Sequence, residues 1–393
     1  MSVIESLKNE LCGYIDQHAD EMLEISHLIH ANPELGLQEY FASGLLCERL
    51  AACGFEVKRG LAGLETSFRA DYSSGSKGPR IAIFAEYDAL AGIGHGCGHN
   101  IISACAVGSA AALKEILART GGSVCVIGSP AEETSGGKIN LLDAGILDDC
   151  DYAMMAHPCA GEGIVGKGGV ACCELVFEYF GKSTHSASEH TGVNALTALI
   201  STFNNIAAIR PSFRPGQKLN GIILNGGEAS NVIPAYAKSS FCVRANTLPE
   251  LKVLIERVIN CAKAAALSVG AEVKYGHGPL FAERYSNHRM DEKYKDNMEK
   301  IGIRMHFPGP ADMVGSSDIG NVSLKMPTVH EYTSATEETM NIHTSEFAGV
   351  CGGKGGDAAC INSAKGLAML ACDLLCDEQF RSEVNEEFER IKT

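Results

Sequence analysis

The 393-residue sequence predicts an α/β protein: a catalytic domain with a mostly parallel sheet flanked by helices, interrupted by an inserted ferredoxin-like α+β domain. Three observations carry this. Short apolar runs alternate with helical stretches over residues 1–168. Residues 169–283 follow the order β-α-β-β-α-β. The first texture then returns over 284–393, so the outer segments form one domain around the insert.

Taken in order, residues 2–30 and 40–52 read as amphipathic helices. Strands follow at Phe55–Lys58, Thr66–Ala70 and Arg80–Ala85. A small-residue helix covers Ile101–Leu117, then a strand Val124–Ser129, a helix Ile139–Ala144 and a strand Tyr152–Ala156. In the insert, Val170–Phe180, Gly221–Leu224, Ala235–Ala245 and Ala271–Gly276 read as strands, and Val193–Ile209 and Pro249–Ala266 as helices. Beyond it come a helix at Glu292–Ile301, a buried strand at Met326–His330 and a closing helix at Ala358–Cys376. Ser316, Ser317 and Asp318 look like a helix start, and Asp357 like the N-cap that ends the glycine-rich CGGKGGDA (351–358).

Composition removes several function classes. Thirty-three Lys and Arg against 48 Asp and Glu leave a formal charge of −15, which repels phosphate backbones and argues against nucleic-acid binding. The longest apolar run, Ala104–Leu113, is about half what a bilayer span needs, so no membrane association is expected. The N-terminal stretch is acidic and amphipathic, without a signal-peptide core. Sixteen cysteines are scattered mostly through apolar segments with no CxxC, which reads as buried thiols in a cytoplasmic protein.

The chemistry lies where strands end. Arg80–Ala85 runs into EYDALAGIGHGCGHN, with Asp88, His95, Cys97 and His99. Val124–Ser129 runs into PAEE, with Glu132 and Glu133, and Tyr152–Ala156 into His157. Ligand crevices of open α/β sheets lie beyond the carboxyl ends of the strands, so three strands deliver metal-type side chains to one edge. In an extended segment Cys97 and His99 would point the same way, with Gly94, Gly96 and Gly98 allowing the tight backbone. Imidazole, thiolate and carboxylates together suit a dinuclear zinc or manganese centre, which acidifies water and stabilises an oxyanion.

The motifs HANPELGLQEY (30–40), HGCGHN (95–100), SPAEE (129–133), AHP (156–158), GKSTHSA (181–187), NGGEASNVIP (225–234) and NIHTSEF (341–347) succeed one another in the order of a known family. The chain resembles the di-metal amidohydrolases and metallopeptidases that include aminoacylases, aminobenzoyl-glutamate hydrolases and auxin-conjugate amidohydrolases. The resemblance implies that Cys97, His99, Glu133, His157 and His343 hold two divalent ions, with Cys97 bridging, and that Glu132 is the general base. It implies that His185 stabilises the oxyanion in its own or a partner's site, and that Asn231 and Arg244 hold the substrate's free carboxylate. The insert would be a lid through which the chain forms a homodimer.

The implied reaction is hydrolysis of the amide of an N-acyl amino acid, an aminobenzoyl-glutamate or a dipeptide. Two other readings stay open: a thiol hydrolase with Cys97 as nucleophile, and a non-catalytic binding protein on the same fold. Asn100 stands where many relatives carry an aspartate behind the metal-binding histidine, so the surroundings of His99 are expected to differ. His27 and His30 read as packing or surface residues, and His95 as a neighbour of the cluster.

Overall fold

Strands without polar alternation end up buried on both faces, and those of the outer segments build the centre of one large sheet. The computed structural model describes residues 2–309, 312 and 315–392. The first segment contains α1 (Val3–Gln17), α2 (Ala19–Ala31), α3 (Tyr40–Ala52), β1 (Glu56–Arg59), β2 (Phe68–Ser73), β3 (Arg80–Ala85) and α4 (His99–Thr120). It continues through β4 (Ser123–Gly128), α5 (Gly137–Asp143), β5 (Tyr152–Ala160) and β6 (Gly163–Ile164). Next come β7 (Ala171–Phe180), α6 (Ala195–Ile209), β8 (Lys218–Asn225), β9 (Tyr236–Ala245), α7 (Leu248–Val269) and β10 (Glu272–His277). The last segment holds α8 (His288–Lys300), β11 (Met305–His306), α9 (Ile319–Ser323), β12 (Thr328–Thr336), α10 (Ser345–Cys351), α11 (Lys354–Cys376) and α12 (Glu378–Lys392).

The chain divides into two units, Met1–Gly168 with Arg284–Thr393, and Gly169–Glu283. The first carries an eight-stranded sheet of order β1-β2-β4-β3-β5-β12-β6-β11. Its central neighbours β4, β3, β5 and β12 are all parallel. Helices α4 and α11 pack on each other beside it, and both pass for membrane spans by length and apolarity. Their apolar windows, however, are 83% and 78% buried inside the protein, which marks them as core helices. The second unit is a four-stranded antiparallel sheet of order β10-β7-β9-β8, covered by α6 and α7 around Leu175, Phe177, Phe241 and Leu254.

Several local expectations change. The first helix is broken at His18, which lets α1 pack on α11 while α2 packs on α4. The late strand runs to Thr336 rather than stopping at His330, and two buried polar groups along it have partners: Arg284 binds His330, and Glu331 accepts the Gly166 N–H at 3.0 Å. Asp357 does not cap α11; Gly353 precedes the helix, and Asp357 in its first turn meets His27 at 2.6 Å. The glycines before it are sites of close approach. A Cβ on Gly355 would stand 2.0 Å from the Ala335 carbonyl oxygen, and one on Gly352 2.5 Å from the His30 ring, whose Nε2 donates to Ala348.

Candidate metal centre

The HGCGHN segment is not extended. Cys97 lies in a turn and His99 opens α4, the two being brought together by Gly98 in the left-handed conformation at φ 72°. A side chain at Gly98 would also collide with Pro158, at 2.3 Å from its Cγ. Glycine is required there twice over, by φ and by space. His157 comes from within β5, which continues to Ala160 instead of ending before it.

Both buried imidazoles have one nitrogen tied and the other turned inward. The Nδ1 of His157 sits 2.6 Å from the Pro158 carbonyl, which can only accept, so this nitrogen carries the proton. Its bare Nε2 lies 3.3 Å from the Cys97 sulfur. Burial, then the charge of His99, pushes the His157 pKa down to about 3, keeping the ring neutral as a ligand requires. The Nδ1 of His99 donates to Asp88 at 2.9 Å, leaving Nε2 buried with no hydrogen-bond partner among the described residues. Burial opposes a charge on His99, but Asp88 and Cys97 outweigh it and raise its pKa well above the usual value.

The carboxylates come from a constrained turn. Ala131 sits at φ 57°, a conformation costly for a non-glycine residue. Its N–H donates to the buried Glu39 at 2.8 Å, and its carbonyl accepts the N–H groups of Ser135 and Gly136. The turn aims the adjacent Glu132 and Glu133 differently. Glu133 lies 3.4 Å from the Nε2 of His343 and 3.9 Å from that of His99, and its N–H donates to Asp88 at 3.0 Å. His343 also has a positive φ, 64°, and its N–H bonds the Gly96 carbonyl at 2.8 Å. Glu132 lies near a second group, Glu86 and Asp318, with one oxygen of each within 4.8 Å. Burial first, then the charges of Glu86, Asp318 and Glu133, raises the Glu132 pKa far above the ordinary carboxylate range.

The donor set fits a pair of divalent ions. One atom each of Cys97, His99 and His157 lies within 4.8 Å of the other two, and so do one atom each of Cys97, Glu133 and His343. Cys97 is common to both groups, and the buried His99 Nε2 and Glu133 Oε1, 3.9 Å apart, make no hydrogen bond among the described residues.

Residues 84–348 match the model of peptidase family M20/M25/M40. The chain belongs to this family. It is 34% identical to the mouse Xaa-Arg dipeptidase over 98% of its own length and 93% of that protein's. It is 29% identical to one of the subunits of the Escherichia coli p-aminobenzoyl-glutamate hydrolase, over 66% of this chain and 58% of that one. Its fold matches a dinuclear metal-binding M20 peptidase from Bacillus subtilis with a TM-score of 0.66, at 20% identity, over 92% of this chain and 99% of that one. The M20 chain is thus a metal-dependent hydrolase of amide or peptide bonds.

The remaining expected residues of this M20 chain lie in the Gly169–Glu283 unit. His185 and Asn231 are neighbours there: His185 bridges to Val232, and the Ser186 N–H donates to the Asn231 carbonyl at 2.9 Å. The Nδ1 of His185 accepts the Ala187 N–H at 3.1 Å, so in the neutral ring Nε2 is the outward donor. Arg244 is not beside them. It sits near the far end of β9, eight residues from Tyr236 at the His185 end, which is roughly 27 Å at about 3.4 Å per residue.

Asn100, expected to alter the setting of His99, turns away to Ser26 at 2.8 Å and to the Cys351 carbonyl; the carboxylate behind His99 is Asp88. Asp318 stands at the start of α9 as expected, but its carboxylate binds Lys138 instead of capping the helix. Glu39, Glu86 and Lys138 were not singled out as site residues by sequence. Glu86 could have been found as the first polar residue after β3, whereas nothing local marks Lys138.

Proposed function

We propose that this chain is a dinuclear metallo-dipeptidase acting on dipeptides with a free carboxylate, with Xaa-Arg dipeptides first among them, and on related N-acyl amino acids. The similarity to Xaa-Arg dipeptidase along nearly the whole chain supports the substrate class. The observation that carries the reading is the shared cysteine: Cys97 completes two donor groups, one with His99 and His157, the other with Glu133 and His343. Two zinc or manganese ions held there would acidify a water and draw electrons from the scissile carbonyl.

The protein's own groups do the rest. Glu132, half-buried beside Glu133 and His99, takes the proton of the attacking water and returns it to the leaving amine. A base of this kind needs a pKa near the working pH, and burial among carboxylates moves Glu132 in that direction. His185 offers its Nε2–H to the developing oxyanion, and Asn231 and Arg244 bind the carboxylate terminus. Since Arg244 lies far from His185 and Asn231 in one unit, the three serve one substrate only if two copies share it. The edge strand β8, where Ile222, Ile223 and Leu224 are 61%, 48% and 51% exposed, is the surface through which a homodimer would form. The thiol-rich composition suits a cytoplasmic enzyme.

A Cys97 nucleophile is disfavoured because its sulfur belongs to both donor groups and would be taken up by the ions they hold. The test is metal content per chain combined with Glu132→Gln. About two ions per chain, turnover abolished by chelation, and a variant that keeps its metal but loses 10²–10⁴-fold in kcat are expected. Turnover indifferent to chelation would overturn the reading.

A further inference from the structure

Beneath Glu132 lies a fully buried lysine. Lys138, second residue of α5, is 0% exposed, and its ammonium is clasped by Glu86 and by Asp318, the latter at 2.6 Å. The other oxygen of Asp318 accepts the backbone N–H of Lys138 at 2.9 Å. The other oxygen of Glu86 stands 3.4 Å from the Nε2 of His99. The start of α5 is in turn pressed on the turn that carries Glu132, since a Cβ on Gly137 would fall 2.1 Å from the Pro130 carbonyl oxygen. One cation thus ties together the end of β3, the PAEE turn and the start of α9, all converging on Glu132.

We propose that Lys138 is a positioning residue for the base: by holding Glu86 and Asp318 as a fixed pair against Glu132, it sets where the Glu132 carboxylate lies. Three carboxylates this close repel one another, and a mobile Glu86 or Asp318 would push Glu132 aside. With the ammonium between them, both partners are held in place and one of their two charges is offset. This rests on the reading of Glu132 as base.

The test compares Lys138→Met, Lys138→Arg, Asp318→Asn and Glu132→Gln, each reconstituted with Co(II), on the dipeptide the parent cleaves fastest. Lys138→Met is expected to keep two ions and the parent's visible Co(II) spectrum, to lose roughly 100-fold in kcat with KM within about threefold, and to add nothing to the loss in Glu132→Gln. Lys138→Arg should recover part of the rate. Asp318→Asn, which keeps shape and removes a clasp, should behave as Lys138→Met does and stands in for it if that variant does not fold. Parent-like kcat in Lys138→Met and Asp318→Asn, with Glu132→Gln inactive, overturns the inference alone. A kcat loss that tracks lost metal or an altered Co(II) spectrum also overturns it, since Lys138 would then support the cage and not the base. An active Glu132→Gln removes the base reading itself.

Discussion

Asp88 receives the Nδ1–H of His99 on one oxygen, at 2.9 Å, and the backbone N–H of Glu133 on the other, at 3.0 Å. A single buried carboxylate therefore orients two ligands that come from different strand ends. Asp88→Asn keeps the shape and removes the charge, and it should weaken divalent-metal affinity about 10–100-fold. Competition against a chromophoric chelator measures this, and an unchanged affinity would remove Asp88 from the centre.

Cys97 is placed as a ligand, and a carboxylate can take over that duty whereas a nucleophilic thiol has no such substitute. Cys97→Asp is expected to retain about two ions and turnover within about an order of magnitude of the parent. Cys97→Ala should lose both. Elemental analysis with steady-state kinetics separates the outcomes, and a dead but fully metallated Cys97→Asp would favour the thiol mechanism.

Gly98→Ala should be far more damaging than an exposed glycine replacement. The left-handed backbone alone costs about 1–2 kcal/mol for an alanine. The new methyl would also displace Pro158, the residue that anchors His157. A lower Tm together with reduced metal content is the expected result, read by calorimetry and elemental analysis. A variant with parent Tm and metal would show that the turn tolerates another path.

Away from the centre, Asp291 and Glu331 form a buried carboxyl pair. Burial, offset in part by the Ser286 and Glu331 hydrogen bonds, leaves the pKa of Asp291 pushed up to about 7, and burial with the Asp291 charge raises Glu331 as well. In the unfolded chain both titrate near about 4. The native state therefore holds more protons between those values, and the stability this pair contributes is full below about pH 4 and falls as pH rises through about 7. Asp291→Asn cannot ionise, so its Tm relative to the parent should climb from pH 5 to pH 8. A difference that stays flat or falls across that range would contradict the assignment.

The features legible in the sequence and those hidden from it divide along a physical line. Donor residues after β3 and β4 and in β5 were legible because apolar runs announce strands, and parallel strands bring their C-terminal loops to one edge. Invisible were contacts that need the third dimension: the Lys138 clasp, the Glu39 bond to Ala131, and the Arg284 contact to His330 that lets β12 bury polar side chains. Helix α12 was missed although its buried Phe380, Val384 and Phe388 fall at the four-residue spacing of an amphipathic helix. The glycine-rich segment resisted reading because close backbone approach has no local signature.

The sheet order has a consequence for synthesis. Strand β12 lies between β5 and β6 and pairs with β5 from Ala153 to Ala160, yet the 115 residues of the Gly169–Glu283 unit come off the ribosome between them. At about 5–20 residues per second, that unit alone takes roughly 6–23 s to emerge. Throughout that interval the nascent first half carries an apolar strand with an unmated edge, while the interrupting unit has all its own strands and helices as soon as it has emerged. Birth order and completion order are therefore reversed, and the half that waits is the one a chaperone would have to shield.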